Sequence, residues 1–333
     1  MQRISIVMCT CNGEQFIREQ LDSIVNQTYP VFELIISDDC SDDNTVEIIK
    51  EYAGKYDYIK IFQNKKRKGI NYNFWSAIER AQGDYIAISD QDDIWELDKI
   101  ETQINEIGDK WLCSGFNKPF SEGGVPIFFD RRVPNYQIER LVSINSLPGH
   151  TMLFKKSLLD KIPVEYKNLR MYDYMIALVA ASYNEIHYCK KNLVNHRRHE
   201  KAVTYSRPLN TKFNISNSLL TLKRTFFLYL ELKDLLKSRY MEMYEFLKIL
   251  PKEQSVKEDA QKLCNLLSKK GLCSFFKSVI LCISLRDKIF YSKENNQFLS
   301  VLRAAYFPVS CVDYIRFKSK KRNKMNTRAG IQI

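Results

Sequence analysis

The sequence predicts an α/β fold, with a mainly parallel sheet flanked by helices and followed by a helical C-terminal region. Three observations carry that reading. Short β-branched runs alternate with segments of helical spacing through the first two hundred residues, which implies right-handed βαβ units. From residue 210 onward nearly everything reads as helix. The charge also divides there: residues 210–333 hold 24 basic and 10 acidic residues, a net of +14, which leaves −2 for residues 1–209. Two domains are therefore expected, 1–209 and 210–333.

Residues 4–8 form a β-branched run ending in TCNG, a strand and then a turn. Residues 15–26 carry Phe16, Ile17, Leu21, Ile24 and Val25 at helical spacing. A second strand at 33–37 ends in DDCSDDNT; a helix at 45–56 and a third strand at 59–63 follow. A helix at 71–80 closes at Gln82-Gly83, and a fourth strand at 85–89 ends in DQDD. Residues 116–134, rich in Gly, Pro and Phe, read as a loop with short strands. Further on come a strand at 151–154, a short helix at 156–161, a helix at 171–182 and a strand at 185–190. Amphipathic stretches at 219–247, 256–268 and 295–305 complete the chain.

Composition bounds the class. With 333 residues, 45% hydrophobic and 27% charged, the chain is neither disordered nor fibrous. Its nine cysteines are odd in number, scattered and without a CxxC, which fits a reducing cytoplasm better than a disulfide framework. The start, MQRISIVMCTCNGE, has too short an apolar run for a signal peptide and reads as a buried strand. The apolar stretch 271–285 is broken by Lys277 and falls short of the ~20 residues of a membrane span.

Ligands of an open parallel sheet bind at the carboxyl ends of its strands. Three such ends are polar here: Thr10, Asn12, Gly13 and Glu14; Asp38, Asp39, Ser41, Asp42 and Asp43; and Asp90, Gln91, Asp92 and Asp93. Each cluster alone also suits a turn former or helix cap, and Asp43 or Asn44 would cap the next helix. Together they crowd carboxylates that repel unless a positive charge joins them. A hard divalent cation, Mg²⁺ or Mn²⁺, bridging a nucleoside diphosphate satisfies that balance.

The segments ISIVMCTCNGEQFIREQLDSIVNQTYP, FELIISDDCSDDNT and GDYIAISDQDDIWELDKI, in that order and spacing, resemble the family 2 inverting glycosyltransferases of the GT-A (Rossmann-like) fold. The SDQDDIW form is most similar to bacterial enzymes that build rhamnose-containing or other cell-surface polysaccharides. The resemblance covers residues 2–203. It implies that Thr10, Asn12 and Glu14 lie along the nucleoside, and that Asp39, with Asp38 beside it, meets a pyrimidine ring. Asp90, Gln91 and Asp92 occupy the DXD position, with Asp92 on the metal and Asp90 on the ribose or the metal's waters. Asp93 and Trp95 would face the donor sugar or the acceptor. LRMYDYMIA makes Asp173 the general base. LVNHRRHEKAV resembles a motif usually containing Tyr-Arg-x-His, placing Arg197 and His199 near the diphosphate, with His199 as a further metal ligand. Here the sequence departs from the pattern, with His196 for the Tyr and Ala202 for a frequent Asn. The PGHTMLF turn offers His150 to the acceptor, or leaves it a loop histidine.

The implied activity is transfer of a sugar from a UDP- or dTDP-sugar to a carbohydrate or lipid-linked glycan. The basic C-terminal half suits an anionic membrane surface, and hence peripheral attachment to the cytoplasmic face of the inner membrane. No stacking motif for nucleic acid is present. Two other readings stay open: a catalytically silent nucleotide-sugar-binding scaffold, and a sugar nucleotidyltransferase, against which the first loop lacks a Gly- and basic-rich phosphate cradle.

Overall fold

A computed structural model describes residues 1–122, 127, 129–199, 215–251, 256–290 and 296–312. The elements run β1 (Ile4–Thr10), α1 (Ile17–Val25), β2 (Glu33–Asp38), α2 (Thr45–Ala53), β3 (Ile59–Gln63), α3 (Ile70–Arg80), β4 (Tyr85–Ser89), β5 (Ile94–Trp95), α4 (Lys99–Ile107), β6 (Leu112–Phe120), α5 (Ile138–Leu141), β7 (Leu153–Lys155), α6 (Tyr172–Ser182), β8 (Ile186–Arg197), α7 (Ile215–Ile249), α8 (Glu258–Ser268), α9 (Leu272–Ser284), α10 (Arg286–Ile289) and α11 (Gln297–Ser310). The chain splits into two compact units: Met1–Val133 with Leu147–Ala180 and Glu185–Pro208, and Pro134–Ser146 with Ala181–Asn184 and Leu209–Ile333.

In the first unit the sheet order is β3-β2-β1-β4-β7-β6-β8-β5. β1 pairs in parallel with both β2 and β4, with Thr10 opposite Asp38 and Met8 opposite Ser89. The chain steps outward from β1 to β3, then returns to the other side of β1 as β4. That reversal opens a crevice at the carboxyl ends of β1 and β4, where ligands of such sheets bind. β1, β2 and β4 are almost wholly buried, as continuous β-branched runs covered on both faces must be. Ile17, Leu21 and Ile24 of α1 are fully buried against them.

The second half of the sheet departs from the expected pattern. β7 runs antiparallel to β4 and β6, and β5 antiparallel to β8. The expected loop at 116–134 begins as a strand, because β6 continues to Phe120 alongside β8. β7 covers only Leu112 and Cys113 of β6, so the missing N–H of Pro119 falls on an uncovered edge. The strand expected at 185–190 runs on to Arg197.

α4 buries a charge in the core. Lys99 is fully buried, its Nζ 2.9 Å from Gln103 Oε1 and 3.8 Å from the Trp95 ring centroid. Burial pulls its amine down to about 7. A lysine depressed in the folded state destabilises it fully below pH 7, and the cost fades as pH rises toward its ordinary value. That cost is on the order of 4–5 kcal/mol. Lys99→Met therefore raises unfolding free energy at pH 6 by about 1–3 kcal/mol, after the lost hydrogen bond is subtracted. The gain vanishes by about pH 10; urea denaturation at both pH values measures it.

In the second unit, Tyr240, Met243, Phe246 and Leu247 of α7 are buried, as are Ala260, Leu263 and Cys264 of α8. Lys288 bridges Glu139 (2.9 Å) and Asp259 (3.0 Å), and Arg140 Nη1 donates to Ile289 O, tying α5 to α10. No described helix is long and apolar enough to cross a membrane.

Candidate active site

The three polar strand ends meet and are knit together. Thr10 Oγ1 donates to Asp38 Oδ1 (2.8 Å), and Ser41 donates to both Asp38 oxygens. Asn12, at φ 52°, accepts from Asp42 N, and Glu14 Oε2 accepts from Asn44 N and Nδ2. Asp43 Oδ1 accepts from Thr45 N, which fixes the turn into α2. Asp39 accepts from Asn64 Nδ2 and from the backbone N–H groups of Lys68 and Gly69, which fixes the approach to α3.

Gln91 clasps the first loop to the fourth strand. Its Oε1 accepts from Cys11 N (2.8 Å) and its Nε2 donates to Cys11 O (3.2 Å). A Cβ on Gly13 would lie 2.5 Å from Gln91 Oε1, so only glycine leaves room for the amide.

Two histidines flank the acidic turn. His150 Nδ1 lies 3.2 Å from Asp90 Oδ2 and 3.4 Å from Asp93 Oδ2, and its Nε2 is 2.8 Å from Asn117 Nδ2. Burial opposes charge on this imidazole, but Asp93 and then Asp90 outweigh it and raise it to about 9. Burial pushes the Asp93 carboxyl upward, and His150 pulls it back. Asp93 Oδ1 accepts the Arg197 N–H at 3.0 Å, which favours the carboxylate and puts the pair's proton on His150. His196, 4.8 Å from the His150 ring, is held down to about 3 by burial and by that neighbour.

On the other flank, His199 Nε2 lies 2.9 Å from Asp92 Oδ2. Both side chains are about one-fifth exposed, against 6% for His150 and 0% for Asp93. His199 Nδ1 and Asp93 Oδ2 are buried without a hydrogen-bond partner among the described residues.

Oxygen and imidazole donors suit a divalent cation, and the turn offers two settings for one. Asp90, Asp93 and His150 present ligand atoms within 4.8 Å of one another. Asp92 and His199 form the more open pair, with one His199 nitrogen lacking a partner among the described residues. A cation that also holds a diphosphate needs open positions, which favours the exposed pair.

Arg197 does not reach into the crevice. It is 2% exposed, with its guanidinium between Phe16 (5.0 Å) and Phe120 (4.6 Å). Nε donates to Asp92 O, Nη2 to Glu19 Oε2 and Nη1 to Glu122. It clamps the turn through Asp92 and Asp93. Trp95, expected to face a sugar, lies in the core at 2% exposure, because β5 pairs with β8 and turns the indole inward.

Asp173 occupies the first turn of α6. A Cβ on Gly149 would lie 3.2 Å from Asp173 Cβ and 2.6 Å from Tyr172 Oη. Burial, then the charges of Asp90 and Asp173, drive the Tyr172 hydroxyl far above its ordinary range. The base candidate is thus brought to the side of the turn that carries His150. Glu19, Glu122, Asn117 and Tyr172 were not foreseen; only Tyr172, adjacent to Asp173, carried a sequence signal.

Comparison with known proteins follows this geometry. A family model, "Glycosyl transferase family 2", matches residues 5–163. The chain is 37% identical over 102 residues to the UDP-Glc:alpha-D-GlcNAc-diphosphoundecaprenol beta-1,3-glucosyltransferase WfgD of Escherichia coli, covering 31% of this chain and 40% of that protein. It is 43% identical over 103 residues to the dTDP-rhamnosyl transferase RfbG of Shigella flexneri, covering 29% and 36%. The chain thus spans less than half the length of either relative. Among solved structures, S. aureus TarS 1-349 in complex with UDP-GlcNAc superposes with a TM-score of 0.55 at 16% identity, covering 95% of this chain and 92% of that one.

Proposed function

We propose that the chain, whose residues 5–163 match the glycosyl transferase family 2 model on a GT-A fold, is an inverting, cation-dependent transferase. Its donor is a UDP- or dTDP-sugar, and its acceptor a hydroxyl of a carbohydrate or lipid-linked glycan in surface polysaccharide synthesis. One observation carries the reading: the DQDD turn stands at the topological switch point, with Asp92 paired to His199 and Gln91 clasping the β1 loop. The named activities of the two sequence relatives, which use UDP- and dTDP-sugars, support the donor class.

Asn12, Glu14 and Asp39 line the nucleoside side of the crevice, with the buried Thr10 and Asp38 supporting them from beneath. Asp39 keeps a carboxylate lone pair for a ring N–H after its three protein donors. Asp92 and His199 would hold the cation, with Asp90 beside them, and when bound it would stabilise charge developing on the leaving diphosphate. Asp173 accepts the acceptor hydroxyl's proton as that oxygen attacks the anomeric carbon. Attack from the face opposite the diphosphate inverts the anomeric centre. Arg197 and Gln91 act as positioning residues, holding the acidic turn and the first loop in place. Calorimetric titration with UDP, dTDP and GDP, each with and without Mn²⁺, tests the reading: cation-dependent binding of a pyrimidine nucleotide is expected, and binding of none would overturn it.

The contact between Gly149 and α6 yields a sharper expectation. Gly149→Ala forces Tyr172 or Asp173 to shift by a few tenths of an ångström or more, since the added Cβ lies within 2.6 Å of the hydroxyl. Turnover should fall by up to ~10²-fold with nucleotide affinity unchanged, because misplacing a base costs rate before binding. Single-turnover kinetics beside calorimetry separates the two.

A further inference from the structure

Three helices of the second unit each expose an apolar stripe at i, i+4 spacing. On α7 the stripe is Leu222, Phe226 and Leu230, exposed by 44%, 47% and 44%. On α9 it is Leu272, Phe276 and Ile280, exposed by 77%, 61% and 67%. On α11 it is Phe298 and Leu302, exposed by 71% and 49%. The opposite faces are the packed ones: Ser278 and Cys282 of α9, and Ser300, Ala304 and Phe307 of α11, are buried. The stripes adjoin, for Tyr306 Oη of α11 donates to Leu222 O of α7 (2.7 Å) and Phe275 of α9 packs on Tyr229 of α7 at 6.3 Å. Eight large side chains in contact with water on neighbouring helices exceed what scattered surface hydrophobics explain.

The charges on α9 and α11 are of one sign, while on α7 the exposed Glu231 and Asp234 follow Leu230. Lys277 is the only charged residue of α9 and Arg303 the only one of α11; both are exposed. Lys223 and Arg224 flank the α7 stripe, and Lys269 and Lys270 precede α9. Beyond α11, residues 316–328 carry seven basic residues and no acidic one. None of the described helices can cross a bilayer, so such a surface lies along the interface, with apolar groups below the headgroups and Lys and Arg among the phosphates.

We propose that the α7, α9 and α11 stripes form a docking face for an anionic lipid bilayer, with Phe276, Ile280 and Phe298 entering the acyl boundary. A second copy of the chain is the competing occupant, but it would bring like charges together around the patch. Docking is independent of the sugar chemistry above, so it is read with no donor present.

Flotation of the full chain with phosphatidylcholine vesicles, with and without phosphatidylglycerol, tests it at low and high salt. The chain should float with the anionic vesicles at low salt. The Phe276→Ser, Ile280→Ser, Phe298→Ser triple variant, at sites more than 60% exposed, should fold normally by circular dichroism and bind at least tenfold less. A Phe276→Trp variant should be quenched by brominated lipid. Failure to bind any vesicle, or equal binding by the triple variant, would overturn the proposal. So would a wild-type dimer in sedimentation that the triple variant dissolves while vesicles capture neither.

Discussion

Asp92→Asn should lower cation-dependent donor turnover by about 10³-fold while leaving the fold intact. The side chain is about one-fifth exposed, and its backbone carbonyl stays held by Arg197 Nε at 3.0 Å. Asparagine keeps the size and a polar partner for His199, so stability should change by under about 1 kcal/mol. What disappears is the negative charge that the cation needs. Loss of one preorganised electrostatic contact typically costs ~10²–10³ in rate, and a cation contributes several kcal/mol. Mn²⁺ affinity should fall with the rate. His150→Ala should behave in the opposite way. It removes the positive partner of Asp93, a carboxylate with no exposure, and an orphaned buried charge costs about 3–5 kcal/mol. Its Mn²⁺ affinity should survive in the folded fraction. If His150→Ala abolishes Mn²⁺ binding and Asp92→Asn does not, the cation belongs to the Asp90, Asp93 and His150 group.

Asp173→Asn should cut kcat by ~10²–10⁴-fold, the usual worth of a positioned general base. Nucleotide and cation affinities should not move, since Asp173 contacts neither in the proposed arrangement. Asp173 lies in the first turn of α6, and asparagine preserves hydrogen bonding at that position while it cannot take a proton. A loss of binding in parallel with rate would reassign Asp173 to the donor site. The two variants are thus separable: one loses the cation, the other only the chemistry.

The strand ends were legible because they depend on local rules. A β-branched run followed by Asp, Asn or Gly marks both the strand and its turn, and parallel order brings the ends together. Thr10 opposite Asp38, and Met8 opposite Ser89, follow from that order. Trp95 was placed toward the sugar by the resemblance alone; its burial depends on pairing between Ile94–Trp95 and Val194–Asn195, a hundred residues away. Arg197 was placed near the diphosphate by the resemblance of its motif. Its fate is set by Phe16, Glu19, Phe120 and Glu122, which no periodicity links to it. The tie between His150 and Asp93 was equally hidden, since it rests on the Gly149–Thr151 turn packing beside α6. The extension of β6 past Gly115 was masked by Gly and Pro, which signal loops unless a bulge and an uncovered edge accommodate them.

The most direct test of the central claim is nucleoside diphosphate release from a panel of UDP-, dTDP- and GDP-sugars, with Mn²⁺ or Mg²⁺ and after chelation. Release from one pyrimidine donor, lost on chelation and restored by the cation, is the predicted result. Release that ignores chelation, or no release from any donor together with intact nucleotide binding, would contradict a cation-dependent transferase and leave a nucleotide-sugar-binding scaffold on this fold.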